Sequence, residues 1–134
     1  MNRIFRIWII GVFSLLLGCN KSEDISKSYE EGIYSGTFTV TYSSEKLTGA
    51  ATLTLESGKY ICTGNSNRIP AGGSGNYSID GSKITFEDVN SWTADFDGNL
   101  ILNGEYDYEF DGQALKISAI KNGVGYYEYD LKKQ

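Results

Sequence analysis

The chain has 134 residues, with 12 basic and 17 acidic side chains, 16 glycines, one proline, ten tyrosines and no histidine. Without histidine the commonest general base and transition-metal ligand is missing, so Ser-His-Asp and Cys-His catalysis is excluded. The acidic balance offers no basic footprint for nucleic acid, and the length suits one domain with one core.

In chain order, Arg3 and Arg6 open a segment without acids, and Ile7 to Leu17 follows as an apolar run. That run is shorter than the ~20 residues of a membrane span and fits the core of a secretory leader. It ends on Leu16-Leu17-Gly18-Cys19. This order resembles the lipobox of bacterial lipoproteins, which implies cleavage after Gly18 and lipidation of Cys19, the anchor to membrane lipid. By the same resemblance, Asn20 stands where aspartate would retain a lipoprotein in the inner membrane. The implied address is the outer membrane of a Gram-negative bacterium, with either face open. Two or more acyl chains give stable anchoring. Residues 19–31, polar apart from Ile25, read as a flexible tether. The leader holds two of the basic residues and none of the acids, so the chain from Cys19 carries ten basic against 17 acidic residues, a net charge of −7. Only Cys62 remains beside the anchor, so no intrachain disulfide is available.

From residue 32 to 134 the pattern is all-β. Runs rich in Thr, Tyr, Val and Ile predict strands at Ile33–Tyr42, Gly49–Glu56, Lys59–Gly64, Ser74–Ile79, Ser82–Glu87, Trp92–Phe96, Leu100–Phe110, Gln113–Ile120 and Val124–Leu131. Ser57-Gly58, Asp80-Gly81, Asp97-Gly98, Asp111-Gly112 and Asn122-Gly123 supply turns, mostly dipeptides that tolerate the positive φ of primed hairpins. The expected architecture is an antiparallel up-and-down meander of about eight strands. The glycine-rich Arg68–Gly75 reads as a mobile connection at a barrel mouth, and "DFDGN", Asp95 to Asn99, as a turn rather than a calcium loop, for it lacks the later glycine and glutamate of such loops.

Registers follow from keeping each apolar face intact. A two-residue turn at Ser57-Gly58 sets Leu53 opposite Cys62 and Leu55 opposite Tyr60. A two-residue turn at Asp111-Gly112 would set Tyr106 opposite Ile117 and Tyr108 opposite Leu115. A three-residue turn at Lys121-Asn122-Gly123 would set Ile117 opposite Tyr127 and Leu115 opposite Tyr129. On the outer face these registers put Asp107 opposite Lys116, and Lys116 opposite Glu128. The acidic row Glu105, Asp107, Glu109 therefore reads as a solvated, partly neutralised surface rather than a catalytic carboxylate pair. Cys62, in phase with Leu53 and Leu55, reads as core.

The opposite parity collects Tyr34, Phe38, Tyr42, Tyr60, Tyr77, Phe86, Trp92, Phe96, Tyr106, Tyr108, Phe110, Tyr127 and Tyr129. Eight of these are tyrosines, and a buried phenol needs a partner. Such an interior is either a packed core with satisfied hydroxyls or the lining of a cavity. The meander, the glycine-bearing first strand "GIYSGTFTVTY" and the aromatic interior resemble the lipocalin-like barrels of bacterial lipoproteins. That resemblance implies a small closed barrel. The expected protein is a monomer with no cofactor or metal, and the lack of histidine and of any catalytic motif speaks against an enzyme. The first functional expectation is a binding module for a small apolar or aromatic ligand, lined by Tyr34, Phe38, Tyr42, Tyr60, Tyr77, Trp92, Tyr106, Tyr108, Tyr127 and Tyr129. The alternative is a protein-interaction or inhibitor module with a filled barrel.

Overall fold

The computed structural model describes residues 29–121 and 123–134. Cys19 and the rest of the leader and anchor lie outside the described residues, as does Asn122. Eight antiparallel strands close into a barrel in chain order: β1 (Gly32–Thr41), β2 (Lys46–Glu56), β3 (Lys59–Thr63), β4 (Gly73–Asp80), β5 (Lys83–Asp88), β6 (Gly104–Phe110), β7 (Ala114–Lys121) and β8 (Gly125–Lys133). β8 returns to pair with β1, as in Phe38 against Tyr129, so no strand edge is left unpaired. The expected all-β up-and-down barrel is the fold.

Alternation builds the core. Tyr34, Phe38 and Val40 of β1, Leu53 and Leu55 of β2, Tyr60 of β3, Ile84 and Phe86 of β5, and Tyr127, Tyr129 and Leu131 of β8 are all buried. The β2–β3 hairpin has the register read from the sequence, Leu53 against Cys62 and Leu55 against Tyr60. Its two turn residues, Ser57 (φ 49°) and Gly58 (φ 74°), both take the positive φ of a primed turn.

Two other hairpins keep the expected parity but shift by two residues. Between β6 and β7, Phe110 pairs with Leu115 and Tyr108 with Ile117. The Asp111 carboxylate accepts from the Gln113 and Ala114 amides at 2.9 and 2.7 Å, which stabilises the four-residue loop. Between β7 and β8, Lys121 pairs with Gly125, Ala119 with Tyr127 and Ile117 with Tyr129. The loop still has three residues, but it lies one position later than expected. The outer charge pairs move with it. Lys116 faces Glu109 and Asp130, and reaches Glu128 only diagonally at 3.7 Å, while Asp107 pairs with Lys83 at 2.6 Å. Glu105, Asp107 and Glu109 remain exposed.

The predicted strand at Trp92–Phe96 does not form, and the one predicted from Leu100 begins at Gly104. Residues 89–103 instead make one long connection containing a 3₁₀ turn, Gly98–Leu100, capped by the Asp97 side chain. Apolar Leu100 and Leu102 are buried because this connection folds over the barrel mouth. The 64–72 connection joins it. Ala71 donates to the Leu100 carbonyl at 2.9 Å, and Leu102 to that of Gly72 at 2.8 Å. Arg68–Gly75 is thus tied down, with Ile69 and Pro70 buried. Gly49 of β2 makes room for it, for a Cβ there would lie 1.6 Å from the Ile69 carbonyl oxygen.

Antiparallel alternation puts both long connections at one end of the barrel and the start of β1 at the other. At that second end the residues expected to close the tether belong to the domain. Tyr29 meets Tyr77 edge-on with ring centroids 5.8 Å apart, and the Ser57 amide donates to Glu31 at 2.7 Å. The Tyr34 hydroxyl donates to the Glu30 carbonyl. The N-terminal segment therefore leaves the barrel opposite the long loops.

Candidate functional site

The ten interior candidates divide by what their polar atoms do. Across the lumen the rings form a continuous series of contacts: Phe38 to Tyr129 at 4.7 Å, Tyr129 to Tyr106 at 6.3 Å, Tyr106 to Phe86 at 5.9 Å and Phe86 to Tyr60 at 4.8 Å. Each such pair contributes about 0.5–1.5 kcal/mol beyond its area. Tyr60 donates to the Leu102 carbonyl at 2.6 Å, and Tyr77 to the Tyr29 hydroxyl at 3.3 Å. Burial raises both phenols well above their ordinary pKa and pushes the Cys62 thiol up to about 12, so Cys62 is a core residue. Tyr108 is half-buried against the core. The Tyr129 hydroxyl is buried with no hydrogen-bond partner among the described residues, while the Tyr106 hydroxyl is buried beside the Asn103 backbone.

At the loop end, Tyr42 and Tyr127 converge on one carboxylate. Both donate to the same oxygen of Asp97, at 2.7 and 2.5 Å, while its other oxygen accepts from the Asn99 amide at 3.0 Å. Burial by itself would raise the Asp97 carboxyl, but the hydrogen bonds from Tyr127, Tyr42 and Asn99 outweigh it and hold the group below the usual carboxylate range. The Asp97–Tyr42–Tyr127 cluster bolts the long connection across the mouth. Lys121 stands nearby with Nζ 4.7 Å from the Tyr106 ring centroid, its pKa lowered by partial burial.

Trp92, read as interior, is instead 39% exposed. Alternation fixes a face only in a strand, and Trp92 stands in a coil, which carries no parity. Its indole donates to Asp88 at 2.6 Å. The same carboxylate accepts from the Ser74 amide at 2.9 Å and from Asn90 Nδ2 at 2.6 Å. Here too burial opposes ionisation, and the bonds from Trp92, Asn90 and Ser74 prevail, lowering the pKa. Trp92 then meets Phe96 edge-on at 6.1 Å, and the Arg68 guanidinium lies 4.3 Å over the Phe96 ring while pairing with Asp95 at 2.9 Å. The result is a fixed, solvent-facing platform of Trp92, Phe96 and Arg68 beside a cleft of about 370 Å³ whose lining includes Ile61, Ser74, Asn90, Ser91 and Trp92.

Asp88 and Asp97 were not among the expected site residues. The signal for Asp88 was present: it follows Phe86 by two and so carries a charge onto the inward parity at a strand end. The fold defines the chain as an eight-stranded up-and-down barrel protein with an aromatic core and an elaborated loop end. No family model matches the chain, and neither a curated protein nor a solved structure matches it significantly.

Proposed function

We propose that this protein is a lipid-anchored lipoprotein of the outer membrane whose barrel is a filled scaffold and whose loop end is a non-catalytic interaction surface. The observation that carries this reading is the ring-to-ring series from Phe38 through Tyr129, Tyr106 and Phe86 to Tyr60, which occupies the lumen where a ligand would sit. The anchor is supported by the charged start, apolar run and Leu-Leu-Gly-Cys ending. With the chain tethered at the Tyr29 end, the Trp92–Phe96–Arg68 platform is directed away from the lipid.

Photo-crosslinking in cells of the source organism tests this reading. A photoreactive residue placed at Ala94, on the exposed loop, is expected to capture an envelope component, while one at Glu109 on the barrel wall captures none. Equal capture at both positions, or none at Ala94, removes the loop end as the working surface. A second reading, a small ligand in the lumen, has one observation in its favour: the Tyr129 hydroxyl, unpartnered among the described residues. Native mass spectrometry of the purified protein separates the two, since a lumen ligand adds mass to the folded ion and a filled scaffold does not.

A further inference from the structure

The cleft beside Trp92 combines one apolar wall with a rim of uncharged hydrogen-bonding groups. Trp92 and Ile61 form the wall, and Ile61 is 58% exposed. Isolated exposed apolar side chains are ordinary. An indole fixed in an exposed position by a hydrogen bond is less so, because it gives up rotamer freedom before any partner arrives. Asn90 is fixed in the same way, its Nδ2 shared among the Ser74 carbonyl at 3.2 Å, the Ser74 hydroxyl at 3.0 Å and Asp88 at 2.6 Å. That geometry leaves the Asn90 side-chain oxygen as an acceptor and the Ser74 hydroxyl hydrogen as a donor, with the Ser91 hydroxyl alongside.

Charge decides what fits. The carboxylate beneath the cleft, Asp88, is saturated by the Ser74 and Asn90 amides, the Asn90 side chain and the indole of Trp92. None of Ile61, Cys62, Ala71, Gly73, Ser74, Asn90, Ser91 and Trp92 carries a charge. An anionic ligand would meet no cation in the lining, Arg68 on the adjoining platform being already paired with Asp95, and would approach a chain of net negative charge. A wholly apolar ligand would strip water from Ser74, Asn90 and Ser91 without replacing it, at about 1–3 kcal/mol per unsatisfied group. A ligand with a C–H face and a hydroxyl rim satisfies both halves. The volume, about 370 Å³, is largely open to solvent and so suits one ring of a longer chain lying on its wall rather than a small ligand enclosed in it.

From this geometry we infer that the Trp92 cleft is a subsite for a neutral saccharide chain, one pyranose ring lying on the Trp92 indole and its hydroxyls bonding to Asn90, Ser74 and Ser91. The inference rests on the loop-end reading above and gives it a partner class.

The test uses the protein as processed, in detergent micelles; cleavage after Gly18 removes Trp8 and leaves Trp92 as the only tryptophan, and Trp8→Phe does the same for any unprocessed chain. Maltohexaose, cellohexaose, mannohexaose and chitohexaose are titrated against its fluorescence, with hexagalacturonate as the charged control. At least one neutral oligosaccharide is expected to shift the emission saturably, and hexagalacturonate to leave it unchanged. By calorimetry, Trp92→Ala weakens that binding about tenfold or more, and Trp92→Phe keeps part of it. The saccharide site is overturned if no neutral oligosaccharide moves the signal, if hexagalacturonate binds as well, or if Trp92→Ala binds unchanged. Should these titrations fail while the residue at Ala94 still captures a protein, the loop-end surface stands with a protein partner and only the saccharide falls. If the crosslink is also absent, both readings fall.

Discussion

Tyr127 on β8 donates its phenol to Asp97 at 2.5 Å, across 30 residues of chain, and so joins the last strand to the connection that covers the barrel mouth. Tyr42, just past the end of β1, completes the arrangement at 2.7 Å on the same oxygen. An ionised acceptor with two phenol donors is stronger than a neutral pair.

Two consequences can be measured. Tyr127→Phe removes one charge-assisted donor and is expected to cost about 1.5–3 kcal/mol in denaturant unfolding. Acid should loosen the same end. Asp97 and Asp88 have folded pKa values below the unfolded one, as does Asp95, held at about 2 by Thr93 and Arg68. Groups shifted in this direction contribute fully above the unfolded carboxylate value of about 4, and the contribution disappears as pH falls through the folded values. Melting temperature should therefore hold from neutrality down to about pH 4 and fall below it. In Asp97→Asn the fall is shallower. An identical acid slope in that variant would show that the bolt contributes nothing.

Strands were legible in the sequence wherever one face is buried. Leu53, Leu55, Tyr60 and Cys62 had to share a side, and the Ser57-Gly58 turn left one register. The two-residue shifts at Asp111 and Asn122 were not legible, because moving by two keeps every side chain on its own face and costs the apolar pattern nothing. What selects the four-residue loop is the Asp111 carboxylate bonding to two amides, a local contact that parity does not see. Trp92 failed for the opposite reason. Trp92, Ala94 and Phe96 alternate as a strand would, but the run has no neighbouring strand to pair with, since β6 already pairs with β5. Its real partners, Asp88 and Arg68, come from a strand end and a loop whose approach depends on the closed barrel.

Gly49→Ala examines how the loop end is seated. A Cβ at Gly49 would lie 1.6 Å from the Ile69 carbonyl oxygen and 2.8 Å from its carbon, backbone atoms that yield only if the 64–72 connection lifts. The expected loss is about 3 kcal/mol, with Trp92 emission shifted because Arg68 moves with the loop. Gly58→Ala is the comparison. Its Cβ would meet nothing within 4 Å, and only the positive φ of 74° opposes it, so the cost should be about 1–2 kcal/mol with Trp92 unaffected. Equal losses in the two variants would show that the loop is not seated on Gly49.

Cys19→Ser examines the address. If Cys19 carries the acyl anchor, this variant leaves the membrane fraction after a high-salt wash, while its folded domain melts as before. Retention at the level of the unaltered protein rules out a lipid anchor at this residue, and with it the argument that the loop end points away from the membrane.

The interior gives the last prediction. Tyr106 and Tyr129 have ring centroids 6.3 Å apart, and the Tyr129 hydroxyl has no partner among the described residues. Burial pushes both phenols well above their ordinary pKa. An unmatched buried hydroxyl costs about 1–3 kcal/mol in desolvation, and deleting it while keeping the ring recovers that cost. Tyr129→Phe is therefore expected to be neutral or stabilising by about 1 kcal/mol, in contrast to the loss at Tyr127→Phe. If instead this change costs more than about 1 kcal/mol, the Tyr129 hydroxyl has a partner, a hydrogen-bonded molecule held among the rings. A high-resolution crystal structure would then distinguish a buried water from a larger ligand, and a larger ligand would return the lumen to the place now given to the loop end.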